Sequence, residues 1–167
     1  MHNESTLISD IKNAGIDPNG TLLIHSSMKS VGTVEGGADT VLNAFIHFMK
    51  DGLLLFPTHS WDENSLKDGI YDPKTEPSNV GILPNLFMKK EGAVRSLHPT
   101  HSVTAIGKRA VDYTHRDDEV VTPCPWKGCF GGLYDEDAQI LFLGVSLKRN
   151  TFIHSLENQY VYKTSFR

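Results

Sequence analysis

Apolar positions along the chain alternate between unbroken short runs and helically spaced sets. Residues 21–25 (Thr-Leu-Leu-Ile-His), 53–56 (Leu-Leu-Leu-Phe) and 139–143 (Gln-Ile-Leu-Phe-Leu) are continuous apolar runs of strand length. Such runs fit strands covered on both faces. A fourth strand is expected over 102–106. Helical spacing places Val41, Leu42, Phe45, Ile46 and Met49 on one face of a helix over 38–50, ended by Asp51-Gly52. A shorter helix is predicted over 7–14, with Ser5 or Thr6 as its cap and Gly15 as its stop. Further helices are predicted over 80–90, with Pro84 near the first turn, and over 108–113. A last helix starts at the natural cap Asn150, with Phe152, Ile153, Leu156 and Tyr160 as its apolar face. Alternation of this kind predicts a layered α/β/α fold around a mostly parallel or mixed sheet, built as one domain over residues 1–167. The segment 58–79 is polar and carries Pro73 and Pro77, a loop length usually tied to function. Val161, Tyr162 and Phe166 are apolar residues near the end of the chain and need cover.

Composition narrows the classes. The chain has 167 residues, and no run approaches the roughly 20 apolar residues of a membrane helix. The start, Met1-His2-Asn3-Glu4, has neither a basic region nor an apolar signal core, so a cytoplasmic location and no membrane partner are expected. Twenty acidic and 16 basic residues leave a net charge of −4. That disfavours nucleic acid as a partner. It suits a cationic small substrate, and it is equally an ordinary value for solubility. Cys124 and Cys129 lack the spacing of a redox or zinc motif and are expected as free structural thiols.

Candidate chemistry collects where strands end, as it does in open α/β sheets. His25-Ser26-Ser27, Thr58-His59-Ser60, the stretch around Ser102, and 144–150 are the segments concerned. On a helix, His154 and Glu157 lie three residues apart and share a face. A carboxylate beside an imidazole fixes its tautomer and raises its basicity, which is what a general base requires. The same spacing also occurs in surface contacts and in carboxylate-bridged metal sites. In His98-Pro99-Thr100-His101, one imidazole is expected to bind loop carbonyls; a metal site would need a third ligand such as His59 or Asp62. His25 reads as a core histidine, and His2, His47 and His115 as surface residues. The loop 28–37, Met-Lys-Ser-Val-Gly-Thr-Val-Glu-Gly-Gly, joins a strand to a helix. It is either an anion cradle of backbone amides, with Lys29 adding charge, or a plain tight connection.

Taken in order, the segments resemble one family. They are residues 22–32 (Leu-Leu-Ile-His-Ser-Ser-Met-Lys-Ser-Val-Gly), Glu35-Gly36-Gly37-Ala38-Asp39, Phe56-Pro57-Thr58-His59-Ser60-Trp61 and Pro77-Ser78-Asn79-Val80-Gly81. They continue through residues 95–103 (Arg-Ser-Leu-His-Pro-Thr-His-Ser-Val), Thr122-Pro123-Cys124, Leu143-Gly144-Val145 and Asn150-Thr151-x-x-His154-x-x-Glu157. This series is similar to the aminoglycoside 3-N-acetyltransferases. The resemblance implies that family's own α/β fold, distinct from the GNAT acetyltransferases. It implies acetyl-CoA as co-substrate and transfer to the 3-amino group of a 2-deoxystreptamine aminoglycoside or a related amine. His154 matches the family's general base and Glu157 its carboxylate partner. Lys29, Ser30, Val31 and Gly32, with Ser102 and Val103, match segments that hold CoA. Acidic residues around the pocket are expected to favour a polycationic sugar. Family members are longer, so a truncated C-terminal part is expected, and an inactive CoA-binding fragment is the alternative. A metal-dependent hydrolase using His98, His101, His154 and Glu157 is a third reading.

Overall fold

A computed structural model describes residues 1–61 and 71–164. Its elements in chain order are α1 (Glu4–Asn13), β1 (Thr21–Ser26), α2 (Gly37–Phe48), β2 (Leu53–Pro57), α3 (Ile82–Phe87), β3 (Val94–Arg95), β4 (Val103–Gly107), α4 (Ala110–Thr114), α5 (Cys129–Asp135), β5 (Gln139–Leu143) and α6 (Phe152–Thr164). Short 3-10 turns occupy Met28–Ser30, His115–Asp117 and Leu147–Arg149.

The five strands form one sheet in the order β3-β4-β2-β1-β5. β1 pairs in parallel with both β2 and β5. β4 pairs antiparallel with β2 and with β3. The sheet is therefore mixed, and layered between helices as the alternation predicts. Strand pleating divides the apolar runs between two cores. Leu22, Ile24, Leu54 and Phe56 pack with Val41, Leu42, Phe45 and Phe87 on one face. Leu23, Leu53, Leu55, Val103 and Ala105 pack with Tyr113, Cys129, Phe130 and Leu133 on the other. Each fully buried leucine contributes roughly 1.5–3 kcal/mol of transfer free energy, so β1 and β2 anchor both layers. β5, at the sheet edge, is half-buried along its length.

Several local expectations change. The cap of α1 is Asn3, whose side chain accepts from the Thr6 amide; Thr6 completes a capping box, and Ser5 lies inside the helix. The predicted helix over 80–90 is only six residues long, entered through Gly81 at φ 120°. Of the apolar face expected for α6, Phe152 packs against the core, while Ile153 is 44%, Leu156 37% and Tyr160 75% accessible. Its buried contact is Ser155, which donates to the Cys124 carbonyl at 2.9 Å. The Asn150 side chain accepts from the Phe152 amide, as a cap should. α5 was not foreseen. Its amide at Cys129 donates to buried Asp117, which also accepts from Ser96. Gly131 is required there, because a Cβ would stand 1.8 Å from the Trp126 carbonyl oxygen. Both cysteines are buried and free, as expected. The side chains of Val161, Tyr162 and Phe166, and residues 62–70 of the polar loop, lie outside the described residues.

Candidate active site

The C-terminal ends of β1, β2 and β5 open together into a cleft of about 710 Å³. His25, Ser26, Ser27, Met28 and Lys29 line it from β1; Pro57, His59 and Trp61 from β2. Residues 79–84 close another side, and Gly144, Val145, Arg149 and Thr151 come from the connection between β5 and α6. The turns after β1 and β5 are joined, because the Ser27 amide donates to the Leu143 carbonyl at 2.9 Å. Gly144 lets them meet: its φ is 71°, and a Cβ there would lie 2.6 Å from Ser30 Cβ.

The floor is rich in imidazole. His59 is 1% exposed, His25 and His98 each 6%. The His59 ring packs against Trp61 at 4.4 Å, His101 at 5.0 Å and Phe130 at 5.5 Å between centroids. Burial pushes His25 down to about 4 and His59 well below the ordinary imidazole value. His101 is also lowered to about 4, by burial first and then by the charges of His98 and His154. These rings are neutral at pH 7. His98 carries out the structural task expected of one of its pair: Nδ1 accepts from the Thr100 and His101 amides, so Nε2 holds the proton and donates to the Thr122 carbonyl at 3.1 Å. Among the described residues Nε2 of His25 has no hydrogen-bond partner, so the ring lines the cleft rather than being the satisfied core histidine expected.

Arg95 braces this floor from behind. Its guanidinium donates to the carbonyls of Thr58, Pro73 and Glu76 and to the hydroxyls of Ser60 and Ser102. It also lies over the Tyr71 ring. One side chain thus ties the β2 end, the 71–77 segment and the β3–β4 hairpin together.

The expected site residues separate into two groups. His154 and Glu157 meet on α6, with Nδ1 2.9 Å from Glu157 Oε2. Their side chains are 62% and 65% exposed. The pair sits one turn beyond Thr151, which lines the cleft. Lys29 lines the cleft as well; Ser30 and Gly32 are exposed beside it, and Val31 is packed partly into the core. Ser102 and Val103 are not brought to the cleft. Ser102 precedes β4 rather than following a strand, and reaches this sheet edge only because β4 runs antiparallel to β2. Its hydroxyl donates to the Thr58 carbonyl and accepts from Arg95, and it is fully buried. Val103 is 1% exposed in the core. Sequence reasoning did not single out Trp61, Arg95 or Arg149 on chemical grounds; the signal for Arg149 was its place in the 144–150 segment at a strand end.

The described part of the cleft lining lacks the acidic residues expected. Among the described residues, every charged side chain lining it is a cation: Lys29 and Arg149. Among the described residues, no group of three or more His, Cys, Asp or Glu side chains is placed to hold a metal ion. His98, His101, His154 and Glu157 therefore do not form the ligand set that a metal-dependent hydrolase would need.

The sequence profile of the aminoglycoside 3-N-acetyltransferase family matches residues 23–166. The chain belongs to this family. Aminoglycoside N(3)-acetyltransferase IV of Salmonella is 31% identical over 157 residues, covering 92% of this chain and 58% of that enzyme. This member thus spans less than two thirds of the length of that relative. A crystal structure of aminoglycoside acetyltransferase AAC(3)-IVa, a histidine-to-alanine variant in complex with apramycin, superposes with a TM-score of 0.81 at 28% identity. The match covers 93% of this chain and 62% of that one. AAC-IIIb, solved as a binary complex with CoASH, shares the fold at 21% identity and a TM-score of 0.81, over 93% of this chain and 64% of that one. The α/β acetyltransferase fold of this family, rather than a GNAT fold, is therefore the fold of this chain.

Proposed function

We propose that this chain acts in acetyl transfer from acetyl-CoA to the 3-amino group of a 2-deoxystreptamine aminoglycoside, with His154 as general base. The observation that carries the proposal is the 2.9 Å contact between His154 Nδ1 and Glu157 Oε2. With the Nδ1 proton donated to the carboxylate, Nε2 presents its lone pair. Glu157 is the positioning residue.

The chemistry follows from that pair. The acceptor nitrogen attacks the thioester carbonyl, and a tetrahedral oxyanion forms. His154 Nε2 takes the proton the nitrogen sheds. Collapse breaks the carbon–sulfur bond, and the imidazolium returns the proton to the leaving thiolate. The products are the N-acetyl amide and CoA thiol. No acyl-enzyme is needed. Proton transfer of this kind contributes roughly 10²–10⁴ in rate.

Support for the donor comes from the cleft itself, with Lys29 at its β1 turn and a volume large enough for a slender arm. A second reading is that the chain holds CoA without turning over. The absence of carboxylates among the described cleft-lining residues favours it, since a polycation finds no counter-charge there. A thiol-release assay with acetyl-CoA and a panel of aminoglycosides separates the two. Amine-dependent thiol release is the expected result. CoA binding with no release for any amine supports the second reading, and no CoA binding overturns both.

A further inference from the structure

The two edges of the sheet are built differently. β3 is two residues long and carries Arg95. β5 (Gln-Ile-Leu-Phe-Leu) has no charged residue, proline or glycine, and among the described residues no strand pairs with its outer side. Protein edges are normally blunted by such devices, because a bare edge offers its amides and carbonyls to another strand. The β1 side decides which groups are offered. Leu143 gives its carbonyl to the Ser27 amide, and the parallel register sets Phe142 beside His25. Alternation then turns the backbone groups of Gln139, Leu141 and Leu143 towards β1, and those of Ile140 and Phe142 outward.

The side chains beside this edge are apolar too. Ile140 lines a groove of about 370 Å³ with Leu133, Tyr134, Asp137, Ala138 and Phe152. The Phe142 ring is stacked on His25 at 5.5 Å, yet the residue is only half-buried. Phe152 packs α6 onto the same layer, and Ile153, Leu156 and Tyr160 form an exposed stripe along that helix. Charge brackets the strand: exposed Asp137 stands just before it, and exposed Lys148 lies in the turn just after it.

We propose that β5 pairs antiparallel with β5 of a second copy of this chain, about a two-fold axis at Leu141. On that register Ile140 of each copy exchanges both backbone hydrogen bonds with Phe142 of the other, so the outward groups are satisfied. Directly opposite residues share a face, so Phe142 of the second copy sits against the groove at Ile140. The axis sets the two α6 stripes against each other. It also brings the acidic start of one strand towards the basic end of its partner, Asp137 towards Lys148. Backbone, apolar surface and charge are all complemented by one symmetry operation on the chain itself, and that selects a second copy over a foreign strand. The strand pair alone would be marginal in water; the stripes supply the apolar area that a stable contact needs.

The test is sedimentation equilibrium of the unaltered chain from micromolar to millimolar concentration, with amide exchange followed by NMR at both ends of that range. A concentration-dependent dimer is expected. The Ile140 and Phe142 amides should exchange about tenfold more slowly in the dimer, while the Leu141 amide, already turned to β1, changes far less. Ile153→Glu should raise the dissociation constant about tenfold or more. Lys148→Glu should raise it about threefold, and more at low salt than at high. Asp137→Asn, which suits the left-handed backbone there (φ 48°), should act in the same direction. A monomer at every concentration overturns the proposal, as does a dimer whose Ile140 and Phe142 amides still exchange fast. Protection of those amides that is independent of concentration means that the chain's own residues cover the edge, and overturns the second copy. Assemblies that grow beyond a dimer overturn the two-fold axis, and a dimer indifferent to both Ile153→Glu and Lys148→Glu overturns the register.

Discussion

Two sets of histidines flank the same cleft in opposite environments. Beneath it, His25, His59 and His98 are at least nine-tenths buried, and His98 bonds backbone amides and a carbonyl. On α6, His154 stands mostly in water with Glu157 as its partner. Desolvation holds His25 and His59 neutral, and His98 spends both ring nitrogens on backbone groups. The exposed ring keeps solvent access and has a carboxylate as its hydrogen-bond partner. The number of histidines near a cleft therefore says little; the partner of each one decides its task.

His154→Ala bears on that comparison most heavily. It should lower acetyl transfer by about 10²–10⁴-fold in a thiol-release assay, while CoA affinity by calorimetry stays within a few fold. Turnover at the unaltered rate would remove His154 as the base. The next effect is on stability against pH. His25 and His101 titrate near 4 when folded but near 6.5 when unfolded. Between those values the unfolded chain takes up protons that the folded chain refuses. Stability is thus full above about pH 6.5 and falls as pH drops towards 4, by up to about 3 kcal/mol for buried His25 and by less for half-buried His101, where water screens the charge. Urea midpoints measured from pH 7 to pH 4.5 check this, and His101→Gln should flatten the decline. A midpoint constant across that range contradicts neutral burial.

His98→Ala comes third. It frees two amides and one carbonyl, and should cost roughly 2 kcal/mol in urea unfolding. A loss below a few tenths of a kcal/mol would mean that water replaces the imidazole. Glu157→Gln should have the smallest effect. Because the pair is exposed, its charge is screened, and turnover should fall about two- to fivefold. A loss as large as that of His154→Ala would show that the pair is desolvated when substrate is bound.

The strand runs were the most legible part of the sequence. β1, β2 and β5 are continuous apolar segments that tolerate no other placement, and β5 occupies the predicted range. α5 was hidden because Cys-Phe-Gly-Gly-Leu-Tyr-Asp carries two glycines; they are there for close packing, which no local propensity reveals. The two-residue β3 is too short to leave a pattern. The His154–Glu157 pair was readable because helical spacing alone brings it together. The surroundings of Ser102 were not legible, because they depend on Arg95, seven residues away across a hairpin, and on the Thr58 carbonyl. The exposed apolar residues of α6 reverse most of an amphipathic reading that was sound in principle: among its described side chains Phe152 packs against the core and Ser155 is buried, while Ile153 and Tyr160 are exposed.

The seam at Gly144 has a mechanical consequence. With backbone of one turn seated directly on Ser27 and Ser30 of the other, that side of the pocket behaves as a fixed jaw and cannot gape to admit a ligand. Widening must come from the opposite rim, at Trp61 and the segment leading into α3, and a side chain grafted onto Gly144 would wedge the jaw apart and misplace both basic turns at once.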